Sequence, residues 1–360
     1  MIRPTFLAAA VGAFTLAALP SARAWDPIGH MLVAQIAYDQ LTPAAKAGVA
    51  AALARFNAKD TPHDAPYDPI TVACWMDDIR ARQAPEFKQY AVWHYVNLPF
   101  TADGLPVPDA SAGPNVILGV QQTEDILAGK TTNPAIDRDQ AFVMLEHFVG
   151  DIHQPLHTTS RGDDAGGNKV KVGNLKDPLA DLIFSKGGNL HFFWDSAYRR
   201  VARSGFATVL YEAPIHDRAT PVAGHTAFEP TIRTEATALE KKYPPSIVTE
   251  QGDALSWAKE SHALGFAFAY GKLPAASATQ PVKLPADYVE AARDIAEKRI
   301  ALAGYRLGAL LNQYFATPTA AAPSPAPSAT PAPSPTATPG GDSKPPKLML
   351  PATTTENPAG

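Results

Sequence analysis

The sequence predicts a mainly α-helical bundle with a minor β-hairpin. Three observations lead there. Apolar residues recur at helical spacing in segment after segment. Extended candidates are few: residues 92–100 (VWHYVNLPF) and 168–172 (NKVKV). The chain has one cysteine, Cys74, so no internal disulfide can staple a small, loop-rich fold. Cys74 lies in the apolar run TVACW and reads as a small buried residue.

The elements follow in order. Residues 1–24, MIRPTFLAAAVGAFTLAALPSARA, have a basic start at Arg3, an apolar run and the small-x-small ending Ala22-Arg23-Ala24. That is the pattern of a signal peptide cleaved after Ala24, and it directs the protein to the periplasm or the medium. The run is too short and too rich in Ala for a membrane span. Helical periodicity starts at residues 29–41. A second helix, within 41–56, has Thr42 as its N-cap and Pro43 at its first position. Further helices are expected within 69–82, 115–130, 137–157, 189–202, 253–270 and, longest, 286–315. No linker or repeat interrupts residues 25–316, which read as one antiparallel α domain. Residues 317–360 are Pro/Ala/Ser/Thr low complexity with almost nothing to bury, so a disordered or partly polyproline tail is expected.

Net charge is −4 at pH 7. Loss of Arg3 and Arg23 with the leader makes the protein more acidic. This counts against a duplex-DNA binder that works by phosphate neutralisation, although bound metal can reverse the field locally.

The stretch richest in chemistry is HFVGDIHQPLH, residues 147–157. His147 and Asp151 are four apart, so a helix puts both on one face, where they can grip a divalent ion. Pro155 ends regular helix at about Gln154, and the chain can then turn His157 towards a second metal. His153 is six residues from His147 and points elsewhere, as a structural or supporting histidine. The i, i+4 pair recurs as His191 and Asp195 in HFFWD. Imidazoles and carboxylates amid so much apolar surface need partners, and a shared metal supplies them. Asp77 and Arg80 lie one helical turn apart in CWMDDIR, and His94 stands between Trp93 and Tyr95. Alone, each reads as a surface acid and a core histidine. The dipeptides His63-Asp64 and His216-Asp217 do not form an HD-type site: His63 lies in a turn-rich run, and no matching Asp helix follows. His216, His225 and His262 lack ligand spacing.

Taken together and in this order, Trp25…His30, WMDDIR, WHYVN, HFVGDIHQPLH, GGN at 166–168, NLHFFWD, SWAKES and AGYRLGALLN resemble the zinc-dependent, single-strand-specific type I (S-one/P-one) nucleases. The resemblance spans nearly all of 25–316. It implies the helical fold of the phospholipase C/nuclease type and three Zn²⁺. One zinc would take Asp77, His94, His147 and Asp151. Another would take His157, His191 and Asp195. The third would take His30, Asp151 as a bridge, and the amine and carbonyl of Trp25, which close a five-membered chelate once cleavage frees that amine. Arg80 matches the arginine that neutralises charge on the reacting phosphate, and Asp151 joins it in catalysis. Tyr95 is the implied stacking platform for a base. Asn97 stands where fungal members have Asp, so base preference can shift, since Asn both donates and accepts. Asp26 replaces the usual Gly, and the segment between GGN and NLH is longer. The implied substrates are single-stranded DNA and RNA, cut to 5′-phosphate products, and 3′-nucleotides. A monomer is expected.

Two alternatives remain at this level. A zinc phospholipase C shares the N-terminal Trp and the H-x-x-x-D-x-x-Q-P-x-H core, but resembles H-x-x-x-E where this chain has His191 and Asp195. A non-catalytic zinc-stabilised binding protein would have no use for Arg80.

Overall fold

Pro155 cannot continue a helix, and Asp137 caps one, so the segment between them is a helix of fixed length. In a computed structural model it runs over Arg138–Ile152 (α6), opened by a capping box between Asp137 and Gln140. The structure describes residues 25–59, 66–81, 84, 87–100, 113–173, 188–198, 223–274 and 281–316. The leader 1–24, the tail 317–360, His63-Asp64, His216 and most of the insertion after GGN lie outside the described residues, as does the His225 side chain.

α6 is buried from Ala141 through Ile152, as befits a helix with no solvent face. Around it lie α1 (Pro27–Asp39), α2 (Pro43–Lys59), α5 (Val116–Leu127) and the 30-residue α10 (Ala286–Phe315). Between α2 and α5 come a 3₁₀ turn, Thr71–Cys74, then α3 (Trp75–Ala81) and a single turn, α4 (Phe87–Tyr90). After α6 come a 3₁₀ turn at Pro155–His157, the short α7 (Leu190–Asp195), α8 (Ala223–Lys242), a 3₁₀ turn at Pro245–Ile247, and α9 (Ala254–Leu264), which continues as a π-turn, Gly265–Tyr270. The caps are local chemistry. Thr42 Oγ1 accepts from the Ala45 amide at 3.2 Å, Asn115 opens α5, and Asp253 with Ser256 opens α9. No described helix is long and apolar enough to cross a membrane.

The mainly helical class is the one expected. α8 is an addition: Pro230 lies inside it and masks its periodicity. The β-structure also differs in detail. Val172–Gly173 (β1) pairs in parallel with Val282–Lys283 (β2), so the small sheet joins distant segments instead of forming a hairpin. Residues 92–100 are a turn and an extended strip. Val96 N–H donates to His157 O at 2.7 Å, and Pro99 bridges to Ser160 in parallel.

Candidate metal centre

Five segments converge at the C-terminal end of α6. Three groups of donors lie there with ligand atoms within 4.8 Å of one another: His30, His147 and Asp151; Asp77, His94 and His147; His157, His191 and Asp195. All eight side chains are buried.

Asp151 lies between two sides of this centre. Its Oδ2 is 3.1 Å from His94 Nδ1 and 3.2 Å from His147 Nε2. Its Oδ1 is 3.5 Å from His30 Nε2 and 3.6 Å from His157 Nδ1. His157 Nε2 and His191 Nε2 each stand 3.7 Å from Asp195 Oδ1. Two atoms bound tetrahedrally at about 2.0–2.1 Å from one zinc are roughly 3.3 Å apart, so these separations suit shared ions, except for His157 Nδ1, which faces a backbone carbonyl.

The rings are aimed by the backbone. His147 Nδ1 meets Ala73 O at 2.7 Å, His157 Nδ1 meets His94 O at 2.8 Å, and His191 Nδ1 meets Gly166 O at 2.7 Å. Each carbonyl takes the Nδ1 proton, which leaves the Nε2 lone pair for the centre. His94 is turned the other way and presents Nδ1.

Buried polar atoms should be paired, and here several are not. Among the described residues, both ring nitrogens of His30, Asp77 Oδ1, Asp151 Oδ1 and Asp195 Oδ2 have no hydrogen-bond partner. Each such atom costs about 1–3 kcal/mol if left so. A cation in each group answers the carboxylate oxygens and the one ring nitrogen of neutral His30 that carries a lone pair, and the His/Asp donor set fits Zn²⁺.

Charge supports the same reading. Burial, and then the neighbouring His147, lower the His30 pKa to about 3, so its ring is neutral and its lone pair available. Burial opposes ionisation of Asp151, but His147 and the hydrogen bonds from His147 and His94 hold it well below the carboxylate range. At Asp195 burial wins over the pull of His191, and its pKa rises.

Trp25 is fully buried beside His30. Its Nε1 donates to Gly150 O at 2.8 Å, and its ring meets Tyr198 edge-on. Gly150 is needed for close approach, since a Cβ there would lie 2.9 Å from His30 Nδ1. Arg80 Nη1 is 3.9 Å from Asp77 Oδ1. Tyr95 is half-buried and Asn97 exposed, on the strip that leaves the centre at His94.

His153 turns away, as its angle on the helix requires. Its Nδ1 meets Val149 O at 2.8 Å, and its Nε2 lies 3.0 Å from Arg306 Nη1. His262 meets Thr158 O at 3.2 Å. Sequence reasoning missed Gln154, whose Nε2 donates to Asp195 Oδ1 at 2.7 Å, although the Gln-Pro pair was in plain view. It also missed Asp26, which caps α1 through the amides of Ile28 and Gly29 and accepts from Tyr198 OH.

Comparison with known proteins gives this arrangement a family. The model of the family described as S1/P1 Nuclease matches residues 25–316. The chain belongs to the S1/P1 nuclease family. It is therefore a hydrolase of phosphodiester bonds. Similar proteins include Endonuclease 2 of Arabidopsis thaliana, 25% identical across 83% of this chain and 93% of that protein. Nuclease S1 of Aspergillus oryzae is 24% identical across 86% of this chain and 98% of its own length. Nuclease PA3 of a Penicillium species is 25% identical across 80% and 97%.

Proposed function

We propose that the chain is an exported, monomeric, zinc-dependent nuclease specific for single strands. It takes three Zn²⁺, cuts single-stranded DNA and RNA to 5′-phosphate products, and removes phosphate from 3′-nucleotides. The observation that carries this reading is the run of three adjoining His/Asp groups with orphaned buried atoms in a chain of the S1/P1 nuclease family. The mature domain is residues 25–316, after cleavage behind Ala24, with 317–360 as a separate tail.

His30, Asp151 and the Trp25 amine and carbonyl hold one ion. Asp77, His94, His147 and Asp151 hold another, and His157, His191 and Asp195 the third. Zinc bound there supplies Lewis acidity and a water that ionises near neutral pH. The protein supplies the rest. Asp151 offers one oxygen to each side, which fixes the spacing between two sites. The carbonyls of Ala73, His94 and Gly166 hold three rings in the ligating tautomer. Arg80 brings a permanent positive charge next to Asp77, where it can meet charge developing on the phosphate. Tyr95 stacks a base, and Asn97 reads it through a group that both donates and accepts.

The test is metal analysis of protein beginning at Trp25, with parallel assays on single-stranded DNA, RNA, 3′-AMP and phosphatidylcholine. Zinc-dependent hydrolysis of the first three is expected. Hydrolysis of phosphatidylcholine alone would assign the site to phospholipase chemistry.

A further inference from the structure

We infer that Asp164 and Tyr270 are positioning residues for His191, acting through the carbonyl of Gly166. The inference rests on the zinc reading above, which gives His191 its reason to be held.

His147 and His157 lean on the carbonyls of the buried residues Ala73 and His94. His191 leans on Gly166, in a loop with an uncommon backbone. Ala165, Gly166 and Gly167 have φ of 54°, 63° and 84° in succession. The left-handed region costs a residue with a Cβ about 1–2 kcal/mol, so Ala165 needs external support. Glycine is required at 166 for a second reason. A Cβ there would lie 2.6 Å from Leu156 O and 3.2 Å from His191 Nδ1.

Asp164 supplies the support. Its Oδ1 accepts from the amides of Arg161 and Gly167, both at 3.1 Å, from Ser160 Oγ at 3.3 Å and from Tyr270 OH at 2.9 Å. One buried carboxylate oxygen thus joins both ends of the turn and fastens it to the π-turn that follows α9. Such π-turns are often found at functional sites. Hydrogen bonds to a charged acceptor are stronger than neutral ones, so the hub is stiff. The turn then has one orientation, and in it the Gly166 carbonyl meets His191 Nδ1 at 2.7 Å. Asp164 touches no residue of the proposed ligand set directly in these bonds. Its effect on metal passes through the loop.

Other bonds of the loop do not depend on the Asp164 side chain, so its removal should loosen the turn without unfolding it. Asn168 Nδ2 donates to Ala165 O at 2.8 Å, and Leu190 N–H donates to Val170 O at 2.8 Å. Asp164→Ala should therefore fold.

The experiment is zinc titration against a competing chelator on protein beginning at Trp25, with Zn²⁺ alone as the probe and circular dichroism alongside. In Asp164→Ala one zinc equivalent should bind about 10–100-fold more weakly, the range for loss of an outer-shell partner, while the others are unchanged. Asp164→Asn keeps an oxygen acceptor and should recover most of that affinity. Tyr270→Phe should weaken the same equivalent to a smaller degree. In a His191→Ala background, Asp164→Ala should add nothing, because the two residues act on one site. If Asp164→Ala lowers Tm but leaves every zinc affinity intact, or if its effect adds fully to that of His191→Ala, the inference is wrong. Should Asp164→Ala not fold, Tyr270→Phe decides: unchanged zinc affinity overturns the inference. A wild-type chain that takes up no zinc contradicts the underlying zinc reading, and the first titration shows this before any variant is made.

Discussion

His147 and His191 are held alike and built differently. Each gives its Nδ1 to a backbone carbonyl at 2.7 Å. His147 rides on α6, whose 15 residues are buried on nearly every side. His191 rides on the six-residue α7, and its carbonyl comes from a left-handed loop tied by Asp164. On the first side, one long buried helix spaces the proposed donors His147 and Asp151. On the second, hydrogen bonds from several separate segments do the same work. Precision in a site can come from a regular element or from a braced loop, and the two should fail differently.

The largest effect is expected on the helical side. Asp151→Asn removes the carboxylate charge that faces both sides of the centre, and hydrolysis of single-stranded DNA should fall by more than about 100-fold, with zinc lost as well. His153→Ala, two residues on, should leave zinc content intact while costing about 1–3 kcal/mol of stability through its buried contact with Arg306. Zinc analysis and thermal unfolding of the two variants separate these outcomes. Equal zinc loss would show that helical phase does not divide ligand from support.

The N-terminus gives the next effect. A free α-amine has a pKa of about 7.7–8, so zinc displaces its proton near neutrality at modest cost. A peptide nitrogen offers no such lone pair. Protein that keeps one residue before Trp25 should bind one zinc equivalent fewer and lose orders of magnitude in activity, with its helical circular dichroism unchanged. Trp25→Ala, correctly cleaved, should keep that zinc, because the proposed ligating atoms are backbone.

These contrasts also explain which features are legible in the sequence. The spacings His147/Asp151 and His191/Asp195 are helical, so residue numbers alone assign each pair to one face. Thr42, Pro43 and Pro155 act within a few residues and mark their own elements. α8 is hidden because Pro230 breaks the pattern of an otherwise weakly apolar segment. The parallel pairing of Val172–Gly173 with Val282–Lys283 is hidden because two residues carry no register signal across such a separation. Gly150 and Gly166 matter for a Cβ they lack, and no residue type states which neighbour will come close. Gln154 and Asp164 work through contacts that only the tertiary fold creates.

A smaller effect lies behind α6. Arg299 donates to His153 O at 3.1 Å and to Ser261 Oγ at 2.6 Å, and Ser261 Oγ donates to Ile152 O at 2.6 Å. Glu260 pairs with both Arg299 and Arg306. Burial pushes its carboxyl up, but the hydrogen bonds from Arg306 and Arg299 prevail and lower its pKa. A carboxylate lowered in the folded state stabilises above its unfolded pKa of about 4.3, and that support is lost as pH falls through the folded value. Denaturant titrations should therefore find Glu260→Gln less stable than wild type at pH 7, with the gap closing below about pH 4.

The smallest effect is expected at the far end. α10 closes at Phe315, and the family match ends at residue 316. Protein truncated after Ala316 should keep its Tm, zinc content and nuclease activity within error. A clear drop in any of them would extend the domain past that point.

One measurement reaches the central claim, that buried His/Asp groups on both sides of Asp151 hold the ions that make this chain a nuclease. Zinc is counted in protein beginning at Trp25, and hydrolysis of single-stranded DNA is followed through exhaustive chelation and zinc return. About three zinc per chain is expected from these ligand sets, with activity lost on chelation and restored by zinc. Full hydrolysis by protein stripped of zinc would contradict the claim.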